Sequence, residues 1–253
     1  MKIPILLINL RESKDRLNHS RQELSRFGLS FERIEAIDGR QMSQAELNQF
    51  SVWDRSAFFK PLSPGEVGCY LSHIAATKRI VSEGWPWTLV LEDDFKLSDD
   101  FLKEMNRLSQ TDLSAYDLIK IEGRTRGGEV IQRLDENHVI IRHRRPPSCT
   151  IAQIWSFAGA KKFLEKSTLL KRPVDVQLKH WWEINLHIVH LDAPLVFDAD
   201  ADGKTSIIGA RKLKGLIPWM YRMRYKIQFT LSSHYQYLRR WGLASWLKSI
   251  GGR

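Results

Sequence analysis

The run Leu89-Val90-Leu91-Glu92-Asp93-Asp94 puts three adjacent carboxylates directly after a short apolar strand. Such acids repel one another unless something cationic sits among them, and in open α/β sheets the carboxyl end of a strand is where ligands bind. Glu92 and Asp94, two residues apart, project to the same side of an extended chain. They are therefore candidate ligands for one hard divalent cation, with substrate phosphates completing its shell. The same triplet also suits an acidic helix cap or a solvated turn, because Ser98 soon opens a helix. A second segment, Gly65-Glu66-Val67-Gly68-Cys69-Tyr70-Leu71-Ser72-His73, has two glycines in the first turns of a helix. They permit close approach of another backbone or of a ligand, with Ser72 and His73 following on the same helix. Tight helix packing around a hydrogen-bonded histidine accounts for that segment equally well.

These residues need elements to hold them. Residues 3–9 are an apolar, β-branched run suited to a strand buried on both faces. Ser13 opens a helix with Leu17, Leu24 and Phe27 at helical spacing and Gly28 as its stop. Residues 31–37 alternate and end in Asp38-Gly39, a strand and turn. Strand, helix, strand within forty residues begins an α/β fold. Ser63 and Glu66 have capping-box spacing with Pro64 at the first helical position, predicting a helix to about residue 82. Strands are expected at 87–91, 116–121, 139–141, 150–157, 187–191 and 195–197. Helices are expected after Ser98 and over 159–166 and 174–182, and residues 122–128 read as a mobile loop.

The chain has 253 residues, 43% hydrophobic and 27% charged, which excludes a disordered chain, a collagen-like repeat and a multi-span membrane protein. No stretch approaches the ~20 apolar residues that span a bilayer, and the N-terminal run reads as a first strand rather than an export signal. Two cysteines, Cys69 and Cys149, make no disulfide framework and suit a reducing compartment. The net charge of +10 is local: ten Lys and Arg lie from Arg211 onward, no acid follows Asp202, and residues 1–210 carry 29 of each sign. In that tail Leu216, Met220, Met223, Ile227, Leu231, Leu238 and Trp241 recur at helical spacings, broken by Pro218 and Gly242. Cations, aromatics and missing acids suit an interfacial helix on an anionic leaflet. Packing on the preceding domain and nucleic-acid binding are the alternatives; nucleic acid is not the expected partner. The expected organisation is a domain over residues 1–210 and a helical tail over 211–253.

Several motifs occur in order: Asn9-Leu10 followed by Arg16, Ala36-Ile37-Asp38-Gly39, the glycine-rich helix ending in His73, Leu-Glu-Asp-Asp, Pro173-Val174-Asp175, and Ser206-Ile207. Together they resemble glycosyltransferase family 25, the lipopolysaccharide-type galactosyltransferases related to collagen galactosyltransferases, over about residues 1–208. The resemblance implies a GT-A-like α/β fold with a mixed, mainly parallel sheet, followed here by the basic helical tail. It implies an inverting transfer of a hexose, galactose expected, from a UDP-sugar to a lipid-linked lipooligosaccharide acceptor. It assigns Glu92 and Asp94 to Mn²⁺ or Mg²⁺, with Asp93 and Asp175 as catalytic carboxylates and Glu183 as the fallback base. Asn9, Arg11, Arg16, Asp38, Gly68, Ser72 and His73 would line the nucleotide-sugar pocket. His187 and His190 are further candidates for the metal shell. A cytoplasmic protein, peripheral on the inner face of the membrane, is the expected setting. The alternative is a catalytically silent basic module, and no Gly-x-Gly-x-x-Gly or Gly-x-x-x-x-Gly-Lys phosphate loop points to another nucleotide enzyme.

Overall fold

A computed structural model of the chain describes residues 3–123, 127–136, 138–199 and 216–251. Strand β1 (Ile5–Leu10) sends Ile5 and Leu7 into one core and Leu6 and Ile8 into another, so it is buried on both faces. Helix α1 (Lys14–Ser25) leads to β2 (Glu32–Ala36), and Gly28 between them adopts the left-handed φ of 64°. A 3₁₀ turn (Gly39–Gln41) and α2 (Gln44–Phe50) precede α3 (Pro64–Glu83). The predicted capping box of α3 is formed in both directions by Ser63 and Glu66, with Pro64 at the start and Gly84 (φ 66°) ending the helix.

Next come β3 (Trp87–Glu92), β4 (Phe95–Leu97), α4 (Phe101–Gln110), β5 (Leu118–Lys120), β6 (Glu129–Arg133), β7 (Val139–Arg142) and β8 (Ala152–Ser156). The chain continues through α5 (Phe157–Lys166), α6 (Val174–Lys179), β9 (Ile188–Leu191), β10 (Val196–Asp198) and α7 (Leu216–Gly251). Eight strands form one mixed sheet in the order β2-β1-β3-β8-β5-β9-β7-β6, and β10 pairs with β4 in a separate ribbon. Pairings β2-β1, β1-β3 and β5-β9 are parallel; the others in the large sheet are antiparallel. This is the mixed α/β architecture expected from the sequence.

The chain leaves β1 toward β2 on one side and returns as β3 on the other. The carboxyl ends of the three parallel strands therefore open a crevice at a topological switch point. Residues of α1 and α4 pack into one core, and residues of α3, α5, α6 and α7 into the other. Helix α7 docks on the domain: Tyr237 is 0% exposed, and its hydroxyl donates to Glu129 (2.8 Å), which also takes Arg142 (2.7 Å). The helix begins at Leu216 rather than breaking at Pro218, since proline is tolerated in a first turn; Gly242 (φ 81°) interrupts it as expected. Ser206-Ile207, the boundary at 210/211 and residues 124–126 of the expected loop lie outside the described residues.

Candidate active site

At the end of β3 the three acids diverge into different environments. Asp93 turns back toward α1: Asn9 donates to its Oδ2 (2.6 Å) and Arg16 to its Oδ1 (3.0 Å). Asn9 is otherwise occupied by the Ser13 carbonyl and Arg33. Asn9, which does not itself line the crevice, thus braces Asp93, which does, and the pair fixes Arg16 at its edge. Arg11 is exposed and does not line the crevice.

Glu92 is held from two sides. His73 Nε2 lies 2.9 Å from its Oε1, and the Thr150 hydroxyl donates to the same oxygen. Burial opposes ionisation of Glu92, but the His73 contact, Thr150 and the nearby Lys120 ammonium outweigh it and hold the carboxyl below its ordinary range. Lys120 is 1% exposed, pairs with Glu122 at 2.7 Å and donates to the Cys149 carbonyl. Cys149 has a φ of 114°, rarely adopted by a side-chain-bearing residue, so that ammonium secures a strained turn which presents Thr150 to Glu92.

Asp94 is the exception in this network. Among the described residues its Oδ1 is buried without a hydrogen-bond partner, and Arg16 lies at 3.5 Å from Oδ2. Burial first, then the charges of Glu92, Asp93 and Asp198, push its pKa to about 7 against the pull of Arg16. Asp198 comes from the far end of the chain: β10 pairs with β4, and Ala199 N–H donates to the Asp94 carbonyl (2.8 Å). An orphaned buried carboxylate oxygen among hard oxygen donors is the environment a Mn²⁺ or Mg²⁺ ion satisfies. Asp94 fits that role, with Glu92 and Asp198 close enough for their charges to act on it. Cys69, His73 and Glu92 also bring ligand atoms within 4.8 Å of one another. His73 and Glu92 are already bonded to each other, however. Burial, then the charges of Glu92, Asp175 and Asp94, keeps the Cys69 thiol far above its ordinary pKa, so no thiolate is prepared for a soft metal.

The crevice, with a volume of about 220 Å³, is lined by Arg16, Ile37, Asp38, Cys69, Ser72, His73, all three acids and Asp198, among others. Its far wall is the loop after β2, which α3 holds. The Ser72 hydroxyl accepts from Ile37 N–H (2.8 Å). A Cβ on Gly68 would stand 2.3 Å from the Ile37 carbonyl oxygen and 2.5 Å from Gly39 N. Gly68 is therefore needed for helix-to-loop contact and shapes the pocket without lining it. Asp38 caps the 3₁₀ turn and binds Arg40 (2.7 Å).

Asp175 lies in the first turn of α6 and does not line this crevice. Burial raises its pKa, with Val176 N–H, Lys179 and Lys120 opposing, and it is close enough to feel Glu92. Glu183 is 2.7 Å from Arg172, away from the acids. His187 and His190 do not join the metal shell. His187 Nδ1 lies 2.7 Å from the Ala115 carbonyl, and both nitrogens of His190 face the carbonyls of Leu191 and Glu122. Sequence reasoning missed Asp198 and Lys120, which strand pairing brings to the site, and Thr150, which the turn before β8 presents; none leaves a local signature.

A sequence model described as glycosyltransferase family 25 (LPS biosynthesis protein) matches residues 2–178. A glycosyltransferase 25 family member of Aedes aegypti is 31% identical over 183 residues, 68% of this chain and 29% of that protein. The procollagen galactosyltransferase 2 of Homo sapiens is 30% identical over 109 residues, 41% of this chain and 17% of that protein. The inactive glycosyltransferase 25 family member 3 of Mus musculus is 28% identical over 180 residues, 68% and 30% of the two chains. The chain thus spans less than a third of the length of these relatives.

Proposed function

Because the chain belongs to glycosyltransferase family 25, we propose that it is an inverting, divalent-metal-dependent hexosyltransferase, taking galactose from a UDP-sugar to a saccharide acceptor of lipooligosaccharide type. The observation that carries this reading is the buried Oδ1 of Asp94, which has no hydrogen-bond partner among the described residues and lies near further carboxylates at a strand-end crevice. A Mn²⁺ or Mg²⁺ ion bound there would neutralise charge developing on the departing diphosphate. Arg16, fixed by Asp93, is placed to do the same from the protein side. The Ile37–Asp38 loop and Ser72 shape the wall for the nucleoside and sugar. Asp175 is the candidate base for the acceptor hydroxyl, its raised pKa bringing it closer to neutrality, where a base works best.

The test is release of UDP from a panel of nucleotide-sugars with Mn²⁺ and with EDTA. Metal-dependent turnover of UDP-galactose above other donors is expected. Metal-independent turnover contradicts the cation assignment, and no turnover of any donor favours the silent alternative.

The partner proposed for α7 is an anionic membrane surface. Met220, Ile227, Leu231 and Leu238 form one exposed stripe, Ile227 at 57% and Leu231 at 66%. Arg224, Lys226 and Arg239 are exposed on the same helix, which has no acid. Among the described residues no helix is long and apolar enough to cross a membrane, so the contact would lie in the interface plane. A cytoplasmic site on the inner leaflet follows from the proposed acceptor. Replacing Ile227 and Leu231 by Glu should abolish binding to phosphatidylglycerol vesicles; unchanged binding refutes this.

A further inference from the structure

A second cavity of about 340 Å³ lies between the segment after α2, the turn after α6 and the inner flank of α7. It shares no lining residue with the acid crevice. We propose that this cavity is the seat of a neutral pyranose ring of the acceptor saccharide, an assignment that rests on the transferase reading and adds the acceptor's chemical class to it.

Its wall combines aromatic rings with a larger share of polar groups, which suits a hydroxyl-rich ring. Tyr225 and Phe229 lie one helical turn apart on α7 with nearly parallel rings (9°, centroids 6.0 Å), and Trp182 stacks on Phe229 (27°, 6.0 Å). All three are half-buried and packed on one another, so they offer ring edges to a cavity whose wall is mainly polar. Around them stand acceptors and donors in matched pairs: Lys171 lies 3.3 Å from Asp54, and Arg172 lies 2.7 Å from Glu183. With its cations already compensated, the wall offers an anion little, whereas paired donors and acceptors suit ring hydroxyls. Arg172 is 5% exposed, and its buried Nε–H has no partner among the described residues, a donor that a ligand hydroxyl would satisfy. His180 contributes no charge: burial, then the Arg172 charge, depresses its pKa to about 3. The volume is at the lower end for small-ligand sites, room for one or two rings.

The position fits an acceptor. Asp175 lies in the first turn of α6, and the residues on both sides of that helix, Arg172 before it and His180, Trp182 and Glu183 after it, line this cavity. Most of the cavity wall lies beyond residue 178, where the family match ends, so acceptor preference would be written in α7 rather than in the shared motifs.

The experiment uses the full chain without donor or metal. Methyl β-D-galactoside, methyl β-D-glucoside, lactose and glucuronic acid are titrated while tryptophan fluorescence and saturation-transfer NMR are recorded. A neutral sugar should bind saturably, at about millimolar affinity, and weaken at least about tenfold in Phe229→Ala and in the cavity-filling Ser232→Trp. Unchanged melting temperature and unchanged Mn²⁺–UDP binding show that each variant is folded. Absence of binding by all four sugars, binding unaffected by Ser232→Trp, or preference for glucuronic acid overturns the proposal. Sugar binding by a chain that never releases UDP would uphold this cavity and sink the transferase reading instead.

Discussion

Replacing Asp94 by Asn tests the electrostatics of the crevice in the absence of substrate. The carboxyl ordinarily titrates at 3.8 and in the fold at about 7. The folded state therefore binds this proton more tightly than the unfolded chain does. Its contribution to stability is greatest below pH 3.8, is lost as pH rises toward 7, and is constant above that. Three decades of proton affinity correspond to a ceiling of about 4 kcal/mol. Because the side chain keeps 24% exposure beside Arg16, roughly half, about 2 kcal/mol, is the working figure. Asn fills the same volume without the charge. In EDTA, Asp94→Asn should match the wild type near pH 4 and exceed it by about 2 kcal/mol at pH 8, roughly 4–8 °C in Tm for a chain of this size. Saturating Mn²⁺ at pH 8 should narrow the gap by stabilising only the wild type. Denaturant titrations across this pH range are the assay. A gap independent of pH, or a variant less stable than wild type at pH 8, would refute the reasoning.

Asp175→Asn should lower kcat about 10²–10⁴-fold with Mn²⁺–UDP affinity unchanged, and the wild-type rate should rise with pH through a value above the ordinary carboxylate range, because burial raises this pKa. Calorimetry separates the binding from the rate. Gly68→Ala forces a Cβ against the Ile37 carbonyl, and should cost about 1–3 kcal/mol in urea melts and weaken nucleotide binding. Lys120→Met leaves Glu122 buried without its cation and should cost about 3–5 kcal/mol, with Glu122→Gln in the same chain restoring much of it; equal stability of single and double variants would contradict the pairing.

Much of the site-bearing half was legible because its signals are local. The capping box of α3, the doubly buried β1 and the strand carrying Glu92 each follow from a few adjacent residues. Helix α2 had a comparable signal in Ser43 and Glu46, which form a full capping box, yet its short apolar content hid it. Strand β6, with Glu129 and Gln132 interrupting its pattern, forms because β7 pairs with it. The three acids were visible as a cluster but not in their division of labour, which depends on Asn9, His73 and Thr150 reaching them from other elements. The tail was legible as an amphipathic helix. Its docked face was not, since Tyr237 is distinguished from its neighbours only by meeting Glu129 and Arg142. Deleting residues 211–253 would therefore open the core, and outward-facing substitutions are the cleaner probe of membrane contact.

The central claim concerns one ion. Crystals soaked with Mn²⁺ and UDP, measured at the manganese absorption edge, should give a single anomalous peak beside the Asp94 carboxylate and the diphosphate. A peak on Cys69 and His73, or none with UDP in place, would contradict it.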